Sequence, residues 1–458
     1  MAGTNISRAN GSGSATTKFT LSMWVKRGIT DQGRMFSATG GSGDVYFRFN
    51  AGGVIEWSGH GSNASSAGYF ITNRTFRDYT GWYHFVIRFD STQASASDRL
   101  RFYVNGVQET DFSTSTNPNQ DVTDNISLSS NTHYWGGTIS SQYFDGLISH
   151  VHYTVGNDYG PDSFGSTDPT SGQWKITTSP SVTYGSAGYF ILKDGNSLTD
   201  QSPNSNNFAV ANGTLTNTED SPNNLFANWN PLVYTGTQPT YSNGNTVLRP
   251  NTNANYIEAV STIGMPQSGK YYAEFKKFQN DNVFMVGIGD YQELINAMRV
   301  QTNVSQSGGG YGYALTIRNG GDVRQPGESD ISSFFASSIS NGDIIGVAVD
   351  MDNKAVYAHK NGTYGAIGGV TGVPTSGSSK TGAIDLSSKT WFTGASFIGF
   401  LFGTISTSGW DGVDANFGNG YFGTTQISTE GTNASNNGKF EYDTPTGYTA
   451  LSTKGLNL

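Results

Sequence analysis

The chain lacks several of the features that mark common protein classes. It has no cysteine, so a disulfide framework and thiolate metal sites are excluded. Charged residues make up only 13% of the chain, the net charge is −9, and no basic run is longer than a pair such as Lys26-Arg27. Nucleic-acid binding needs clustered positive charge, so the sequence predicts no nucleic-acid partner.

Long apolar runs are also missing. No stretch reaches the roughly 18 apolar residues that a transmembrane helix needs. The N-terminal sequence MAGTNISRANGSGS has no apolar segment of the length found in secretion signals. We therefore expect no membrane insertion and a chain that is made and folded in a cytoplasm.

Aromatic residues and glycine are abundant, and one pattern of them occurs twice. Residues 82–107 contain WYHFVIRFD and RLRFYVNGV, and residues 342–363 contain GDIIGVAVD and KAVYAHKNGT. Each pair consists of two alternating strands, of which the second ends in Asn-Gly, and this dipeptide tolerates the positive φ of a tight hairpin turn. The pattern predicts an all-β protein with less than ~10% helix.

Short alternating segments recur along most of the chain, as they do in β-sandwiches. They predict two antiparallel β-sandwiches joined by a loop-rich connector. The expected boundaries are 1–165 for the first sandwich, 166–240 for a connector with short strands, and 241–458 for the second sandwich. The best helix candidate runs from Tyr291 to Met298.

Three groups of segments resemble known families. In the first half, FTLSMWVKR, GWYHFVIRFD, LRFYVNGV and FDGLISHVHY resemble laminin-G/concanavalin-A-like lectin domains. In the second half, GKYYAEFK, VGIG, YGY, GDIIGVAVD, AVYAHKNG and DANFG resemble SPRY domains. The segments ISRANGSGSATTKFTLSMWVKRG, SFGSTDPTSGQWK, LTDQSPNSNNFAV and EDSPNNLFANWNPL resemble structural proteins of tailed bacteriophages.

These resemblances imply two concanavalin-A-like sandwiches in a phage virion protein, either a tail fibre or a capsid decoration. Such a protein would bind host-surface polysaccharide or other virion proteins, and it would be located in the virion after assembly in the host cytoplasm. We expect a homo-oligomer, with a trimer favoured by the threefold symmetry of many phage appendages. Two alternatives stay open, a polysaccharide depolymerase and a cellular carbohydrate-binding module.

The arrangement of carboxylates bears on the depolymerase alternative. Glycosidases with concanavalin-A-like folds place a nucleophile and an acid on one strand face, typically as Glu-x-Asp-x-Glu. No such spacing occurs in this chain. The sequence therefore predicts no catalytic residues and a protein that is not an enzyme, unless distant loops bring two carboxylates together.

Aromatic residues near predicted turns are the best candidates for contact with a glycan or a partner, because sugar rings stack on flat aromatic faces. Core packing is the alternative for every tryptophan, since aromatic side chains also fill the core of a sandwich. The candidate contact residues are Trp57, His60, His133, Tyr134, Trp135, Trp410 and Asp411.

The sequence predicts no cofactor and leaves calcium open. Calcium takes oxygen ligands, and four acidic residues at predicted loops or strand ends could supply them. These residues are Asp121, Asp124, Asp145 and Asp158. A role in forming turns explains each of them without a metal.

Overall fold

The computed structural model describes residues 3–11, 15–29, 32–40, 44–59, 67–138, 141–193, 197–234, 238–250, 257–279, 284–299, 314–325, 327–393, 397–404 and 411–457. The chain divides into two compact units, one of Met1–Thr216 with Ser221–Asn223 and the other of Asn217–Asp220 with Asn224–Leu458. The stretch expected to be a connector, 166–240, is therefore shared between the two units.

Strands make up 44% of the structure and helices 7%, which confirms the prediction of an all-β protein. Helix α1, Tyr291–Arg299, coincides with the predicted helix, and α2 spans Thr390–Thr393. Within the described ranges, no helix has the length and apolar character needed to span a membrane. The 3-10 helices are Ala51–Gly53, Ala96–Asp98, Pro161–Ser163, Pro374–Ser379 and Gly455–Asn457.

The first unit is a sandwich of two antiparallel sheets. Sheet A has the strand order β10-β6-β5-β4-β3-β11-β1-β16, sheet B has the order β15-β12-β2-β7-β8-β9, and β13 pairs separately with β14. The strands are β1 Asn5–Ala9, β2 Lys18–Arg27, β3 Gly33–Thr39, β4 Val45–Asn50, β5 Val54–Ser58, β6 Tyr69–Thr75, β7 Tyr83–Asp90, β8 Leu100–Val104, β9 Val107–Glu109, β10 Phe112–Thr116, β11 Thr132–Trp135, β12 Gly146–Val155, β13 Gly165–Thr167, β14 Trp174–Ile176, β15 Tyr189–Ile191 and β16 Ala209–Asn212.

The core of the first unit lies between sheets A and B. Alternate residues of β7 enter it, because successive side chains of a strand point to opposite faces. Phe85 of sheet B packs edge-on against Phe47 and Phe49 of sheet A, with ring centroids 5.7 and 6.1 Å apart. The alternating pattern of residues 82–107 thus has one face in the core, where Phe85 and Ile87 are fully buried.

The second unit is also built from two large sheets. Sheet C has the order β17-β20-β31-β22-β23-β24, and sheet D has the order β18-β19-β32-β21-β25-β26-β27, with β30 beside β26 and β35 parallel to β21. The strands are β17 Trp229–Tyr234, β18 Thr240–Ser242, β19 Val247–Arg249, β20 Ile257–Ser261, β21 Lys270–Lys277, β22 Phe284–Asp290, β23 Ala314–Arg318, β24 Val323–Arg324, β25 Ile344–Asp350, β26 Ala355–Lys360, β27 Thr363–Tyr364, β28 Ala366–Ile367, β29 Val370–Thr371, β30 Ile384–Asp385, β31 Ile398–Thr404, β32 Val413–Asn416, β33 Tyr421–Phe422, β34 Thr425–Gln426 and β35 Thr449–Ala450.

Aromatic side chains fill the space between sheets C and D. Trp229 of sheet C is fully buried, and its ring lies 5.7 Å from that of Phe275 in sheet D. Phe275 also packs against Phe400 of sheet C, at 5.6 Å. These contacts between facing sheets confirm that the second unit is a sandwich.

Both predicted Asn-Gly turns are present. Asn105 and Gly106 have φ of 49° and 82°, and Asn361 and Gly362 have φ of 50° and 81°. The Asn105 side chain accepts a hydrogen bond from the His84 backbone at 2.7 Å, which ties the turn to β7. The Asn-Gly turns join the antiparallel strands β8 and β9 and the antiparallel strands β26 and β27. The two alternating strands that precede each turn also pair antiparallel, β7 with β8 and β25 with β26.

Replacing either turn glycine by valine should destabilise its unit. A β-branched residue resists positive φ, and a Cβ at Gly106 would lie 2.4 Å from the Trp174 ring. We expect Gly106→Val and Gly362→Val each to lower the free energy of unfolding by about 1 kcal/mol or more, measured by urea denaturation. Gly160→Val is the matched control, because Gly160 is extended and has open space around it. Equal stability of all three variants would contradict the turn assignment.

Candidate functional site

Trp57 lies in the core and not on the surface of the first unit. It is 1% exposed, and its ring packs within 6.1 Å of Phe19 and 6.4 Å of Phe47. A ring enclosed in this way cannot stack on a sugar, so the expectation of a glycan contact is corrected to core packing. The two other candidates near predicted loops, His60 and Trp410, lie outside the described residues.

The predicted cluster on β11 is also internal. The Trp135 indole N–H lies 3.1 Å from the Tyr189 hydroxyl and donates to it, and His133 Nε2 lies 2.8 Å from the Ile126 carbonyl. Burial lowers the pKa of His133 to about 4, so the ring is neutral. Tyr134, on the opposite face of sheet A, is only 7% exposed. Burial thus corrects the expectation of glycan contact for this cluster as well.

Asp411 is fully buried in the second unit. Its carboxylate forms an ion pair with Lys277, with an Oδ2–Nζ distance of 3.2 Å. A carboxylate with this environment does not present itself to a surface ligand, which corrects the expectation for Asp411. The sequence-predicted residues that the structure describes are therefore buried and do not form a surface site.

The side chains of two of the four acidic residues considered for calcium, Asp124 and Asp158, have partners within the protein. Asp124 is buried and accepts hydrogen bonds from the backbone N–H groups of Thr16 at 2.9 Å and Ser127 at 2.6 Å. Burial raises the pKa of Asp124 to about 6. Asp158 pairs with Arg88 and, at 3.5 Å, with Lys18. In the part of the chain that the structure describes, no group of three or more His, Cys, Asp or Glu residues is placed to hold a metal ion.

A serine–histidine pair lies on the outer face of sheet B. The Ser22 Oγ and His84 Nε2 atoms are 2.9 Å apart, and both residues are fully buried. The Trp174 indole N–H lies 2.9 Å from His84 Nδ1. His84 stacks between Trp24 and Trp174, with ring centroids 4.8 and 5.9 Å away.

The partner of Nδ1 fixes the role of this pair. An indole nitrogen can only donate, so Nδ1 of His84 is the acceptor and the neutral ring carries its proton on Nε2. Nε2 therefore donates to Ser22 and cannot take the hydroxyl proton, as a general base must do. The pair instead fastens the β13–β14 hairpin to sheet B.

The outer face of sheet A carries a polar cluster that the sequence analysis did not identify. Five of its six residues alternate along β4, β5 and β6 with the core residues Phe47, Ile55 and Phe70, and the sixth, Arg34, lies on the neighbouring strand β3. Glu56 lies at its centre, directly opposite Arg48 in the β4–β5 register. We name it the Glu56 cluster, and it consists of Arg34, Tyr46, Arg48, Asn50, Glu56 and Tyr69.

The Glu56 carboxylate is held by hydrogen bonds to both of its oxygens. Oε1 accepts from the hydroxyls of Tyr46 at 2.8 Å and Tyr69 at 2.9 Å. Oε2 accepts from Arg48 Nε at 2.8 Å, Arg48 Nη2 at 2.7 Å and Asn50 Nδ2 at 2.8 Å. With five donors around it, this carboxylate would have to break hydrogen bonds before it could accept a proton from a substrate.

The two tyrosines of the cluster remain hydrogen-bond donors. Burial, followed by the hydrogen bond to Glu56, raises the pKa of Tyr46 to about 12, and the same causes raise the pKa of Tyr69. The guanidinium groups of Arg34 and Arg48 lie 4.5 and 5.0 Å from the centre of the Tyr46 ring. These contacts fix the orientation of the ring and of both cations.

Part of the Glu56 cluster is open to solvent. The Arg48 side chain is 22% exposed, and Asn50 and Tyr69 are half-buried. Arg34 Nε is buried and has no hydrogen-bond partner among the described residues. The exposed rim thus offers an arginine and the oxygen of a phenol to a polar ligand.

A signal for this cluster exists in the segments VYFRFN and VIEWS. Their outward positions hold Tyr, Arg, Asn and Glu, whereas Ser and Thr fill much of the polar surface elsewhere in the chain. The signal is weak because the cluster depends on pairing between three strands, which local sequence does not specify.

The His84 arrangement makes a specific prediction for stability at acid pH. Burial lowers the pKa of His84 from 6.5 to about 3, so its contribution to stability is full above pH 6.5 and is lost as the pH falls towards 3. Gln can replace both hydrogen bonds without titrating. Between pH 6 and 4 we expect His84→Gln to reduce the slope of unfolding free energy against pH by up to about 1.4 kcal/mol per pH unit. Identical slopes for the variant and the natural protein in urea titrations would disprove the assignment of a neutral His84.

One family model matches the first part of the chain. Residues 2–154 match the family described as the Concanavalin A-like lectin/glucanases superfamily. No curated protein matches the chain. Among solved structures, it is similar to the SPRY domain of human HERC1, with a TM-score of 0.29 and 13% identity over 44% of this chain and 99% of that one.

Two further solved structures have similarly low TM-scores. A heptameric SAP-like pentraxin from Limulus polyphemus has a TM-score of 0.25 and 15% identity, covering 33% of this chain and 70% of that one. Domains LG4-5 of the mouse laminin alpha1 chain have a TM-score of 0.25 and 10% identity, and the match covers 87% of this chain and 84% of that one. TM-scores of this size support no inference about function. The family match covers 2–154 and identifies the fold of the first sandwich as concanavalin A-like.

Proposed function

We propose that this protein binds glycans without a covalent step, and that the Glu56 cluster on sheet A is the binding surface. The observation that carries the proposal is the arrangement around Glu56, in which two tyrosines, an arginine and an asparagine are fixed on one outer sheet face. Support also comes from the lectin-like family of the first sandwich.

Preorganisation is the physical reason for choosing this surface. Binding costs free energy whenever side chains must be ordered, and the cluster is ordered before a ligand arrives. Sugar hydroxyls both donate and accept hydrogen bonds. Arg48 supplies donors at the exposed rim, and the Tyr69 oxygen can accept while its proton is held by Glu56.

The charges of the cluster indicate which glycans it would take. Arg48 is paired with Glu56, and Arg34 lies 3.5 Å from Asp44. Because these cations have acidic partners, the surface offers no excess positive charge to an acidic polymer. We therefore propose neutral saccharides as the ligand class.

Binding should be tested on an array of neutral and acidic oligosaccharides. Tyr69→Phe removes one hydroxyl while keeping the ring, and Arg48→Lys keeps the charge while removing the forked donor. Loss of one hydrogen bond to a charged or ordered group corresponds to roughly 5–100-fold weaker binding, and we expect that range for each variant. Gln108→Ala, exposed on β9 of the other sheet, is the control and should bind normally. Glycan binding that both cluster variants retain in full would place the site elsewhere.

We propose further that the protein is not a depolymerase. Glu56 is occupied by five donors, and the Ser22–His84 pair has the wrong proton arrangement for nucleophilic catalysis. Incubation of the protein with any polysaccharide that it binds should release no reducing ends over time. A steady release that scales with protein concentration would overturn this proposal.

We also propose where the protein acts. The segments SFGSTDPTSGQWK, LTDQSPNSNNFAV and EDSPNNLFANWNPL support a role as a homo-oligomeric appendage of a bacteriophage virion, where glycan binding would attach the particle to its host. Mass spectrometry of purified particles from a phage that encodes the chain is the direct test. Its absence from such particles would leave the alternative of a cellular carbohydrate-binding module.

A further inference from the structure

A buried lysine connects the two sheets of the second unit. Lys277 is the last residue of β21 in sheet D, and its side chain lies on the same face of the strand as the core residue Phe275. The side chain is only 1% exposed. It reaches Asn319, which directly follows β23 of sheet C, and Asp411, which precedes β32 of sheet D.

Three groups surround the Lys277 nitrogen. Nζ lies 3.2 Å from Asp411 Oδ2, donates to the side-chain oxygen of Asn319, and lies 3.3 Å from the Ile339 carbonyl oxygen. Asn319 is held in place because its own carbonyl accepts from the Ile339 N–H at 2.7 Å. The Phe284 ring, 5.8 Å from Nζ, makes the surroundings partly apolar.

Burial changes the chemistry of this group. An ion pair that is removed from water pays a large desolvation cost, and transfer of one proton from the ammonium to the carboxylate relieves it. Such a transfer between Lys277 Nζ and Asp411 Oδ2, which lie 3.2 Å apart, would give the neutral amine that attack on an amide requires. The amine contacts Oδ1 of the Asn319 carboxamide. The carbon to be attacked, Cγ, is bonded to this oxygen at about 1.2 Å.

We propose that Lys277 and Asn319 form an amide cross-link that joins sheets C and D. Lys277 Nζ attacks Cγ of Asn319 and forms the new Nζ–Cγ bond. Asp411 gives its proton to Nδ2 of Asn319, and it accepts a proton from Nζ. The Cγ–Nδ2 bond breaks and one ammonia leaves, so the reaction needs no oxidant, no reductant and no cofactor.

Proximity and a carrier for the proton are what this reaction requires. Well-oriented groups within one molecule can react with effective molarities of about 10⁵ M or more, and this compensates for the low reactivity of a carboxamide. Asp411 is the catalytic residue because its carboxylate lies against the attacking nitrogen. In a chain without cysteine, the cross-link would join the sheets as a disulfide does in other proteins.

The intact mass of the purified full-length protein tests the proposal. We expect a mass lower by one ammonia than the sequence requires, and a proteolytic peptide in which the segments around Lys277 and Asn319 are joined. Asp411→Asn keeps both reacting groups but removes the proton carrier, and it should restore the full mass. Lys277→Arg keeps the positive charge, cannot form the amide, and should also have the full mass.

Two controls separate the cross-link from other events. Lys276→Arg alters the neighbouring lysine on the opposite face of β21 and should retain the lower mass. Asn319 precedes Gly320, so a cyclic imide at this pair would also release ammonia, but it would persist in Lys277→Arg and join no peptides. Full mass in the natural protein, or an ammonia loss that persists in Lys277→Arg, would overturn the proposal.

Discussion

A buried aspartate at the end of a central strand sets the register on which each sandwich depends. In the first unit Asp90 ends β7, is almost completely buried, and lies 3.0 Å from the ammonium of Lys18 on β2. In the second unit Asp350 ends β25 and lies 2.9 Å from Lys270 on β21. A slip of one residue in either pairing would separate the ion pair and turn every apolar side chain of the strand to the wrong face.

Each carboxylate also binds the turn that follows it. Asp90 accepts from the backbone and hydroxyl of Thr92 at 3.1 and 2.6 Å, and Asp350 accepts from the Asn353 backbone at 2.9 Å. Burial alone would raise the pKa of Asp90, but hydrogen bonds from Thr92, Gln93 and Lys18 outweigh it and lower the pKa to about 2. Its contribution to stability is therefore present above pH 3.8 and is lost only as the pH falls towards 2.

Features that depend on local sequence could be predicted, and features that depend on contacts between distant segments could not. The hairpins at Asn105 and Asn361 were predictable because turn chemistry is local and the alternating strands fix the buried face. Trp57 and Trp135 were expected near the surface because they lie close to predicted turns. Proximity to a turn does not tell which face of a strand a side chain occupies, and both tryptophans point into the core. The Glu56 cluster was not predicted because it requires three strands to pair in one register.

Other buried polar groups, on the outer faces of sheets B and D, differ from the Glu56 cluster because they hold a chain segment over their sheet. On sheet B, the β13–β14 hairpin covers the outer face through Trp174 and His84. On sheet D, Glu274 accepts from the backbone N–H groups of Glu441 and Tyr442 at 2.9 and 2.8 Å, which holds the C-terminal segment over that face.

These two covered faces use their polar groups to bind the chain itself. The carboxylate of Glu274 is fully buried, and burial raises its pKa to about 7, which is the consequence of complete enclosure. Around Glu56, in contrast, the hydrogen bonds come from side chains of neighbouring strands, and Arg48 keeps 22% of its side chain exposed. Among the residues that the structure describes, the hydrogen bonds to Glu56 fasten no covering segment. We propose that the cluster instead holds Arg48 and Tyr69 in fixed positions at the exposed rim, and such preorganisation favours recognition of a polar ligand.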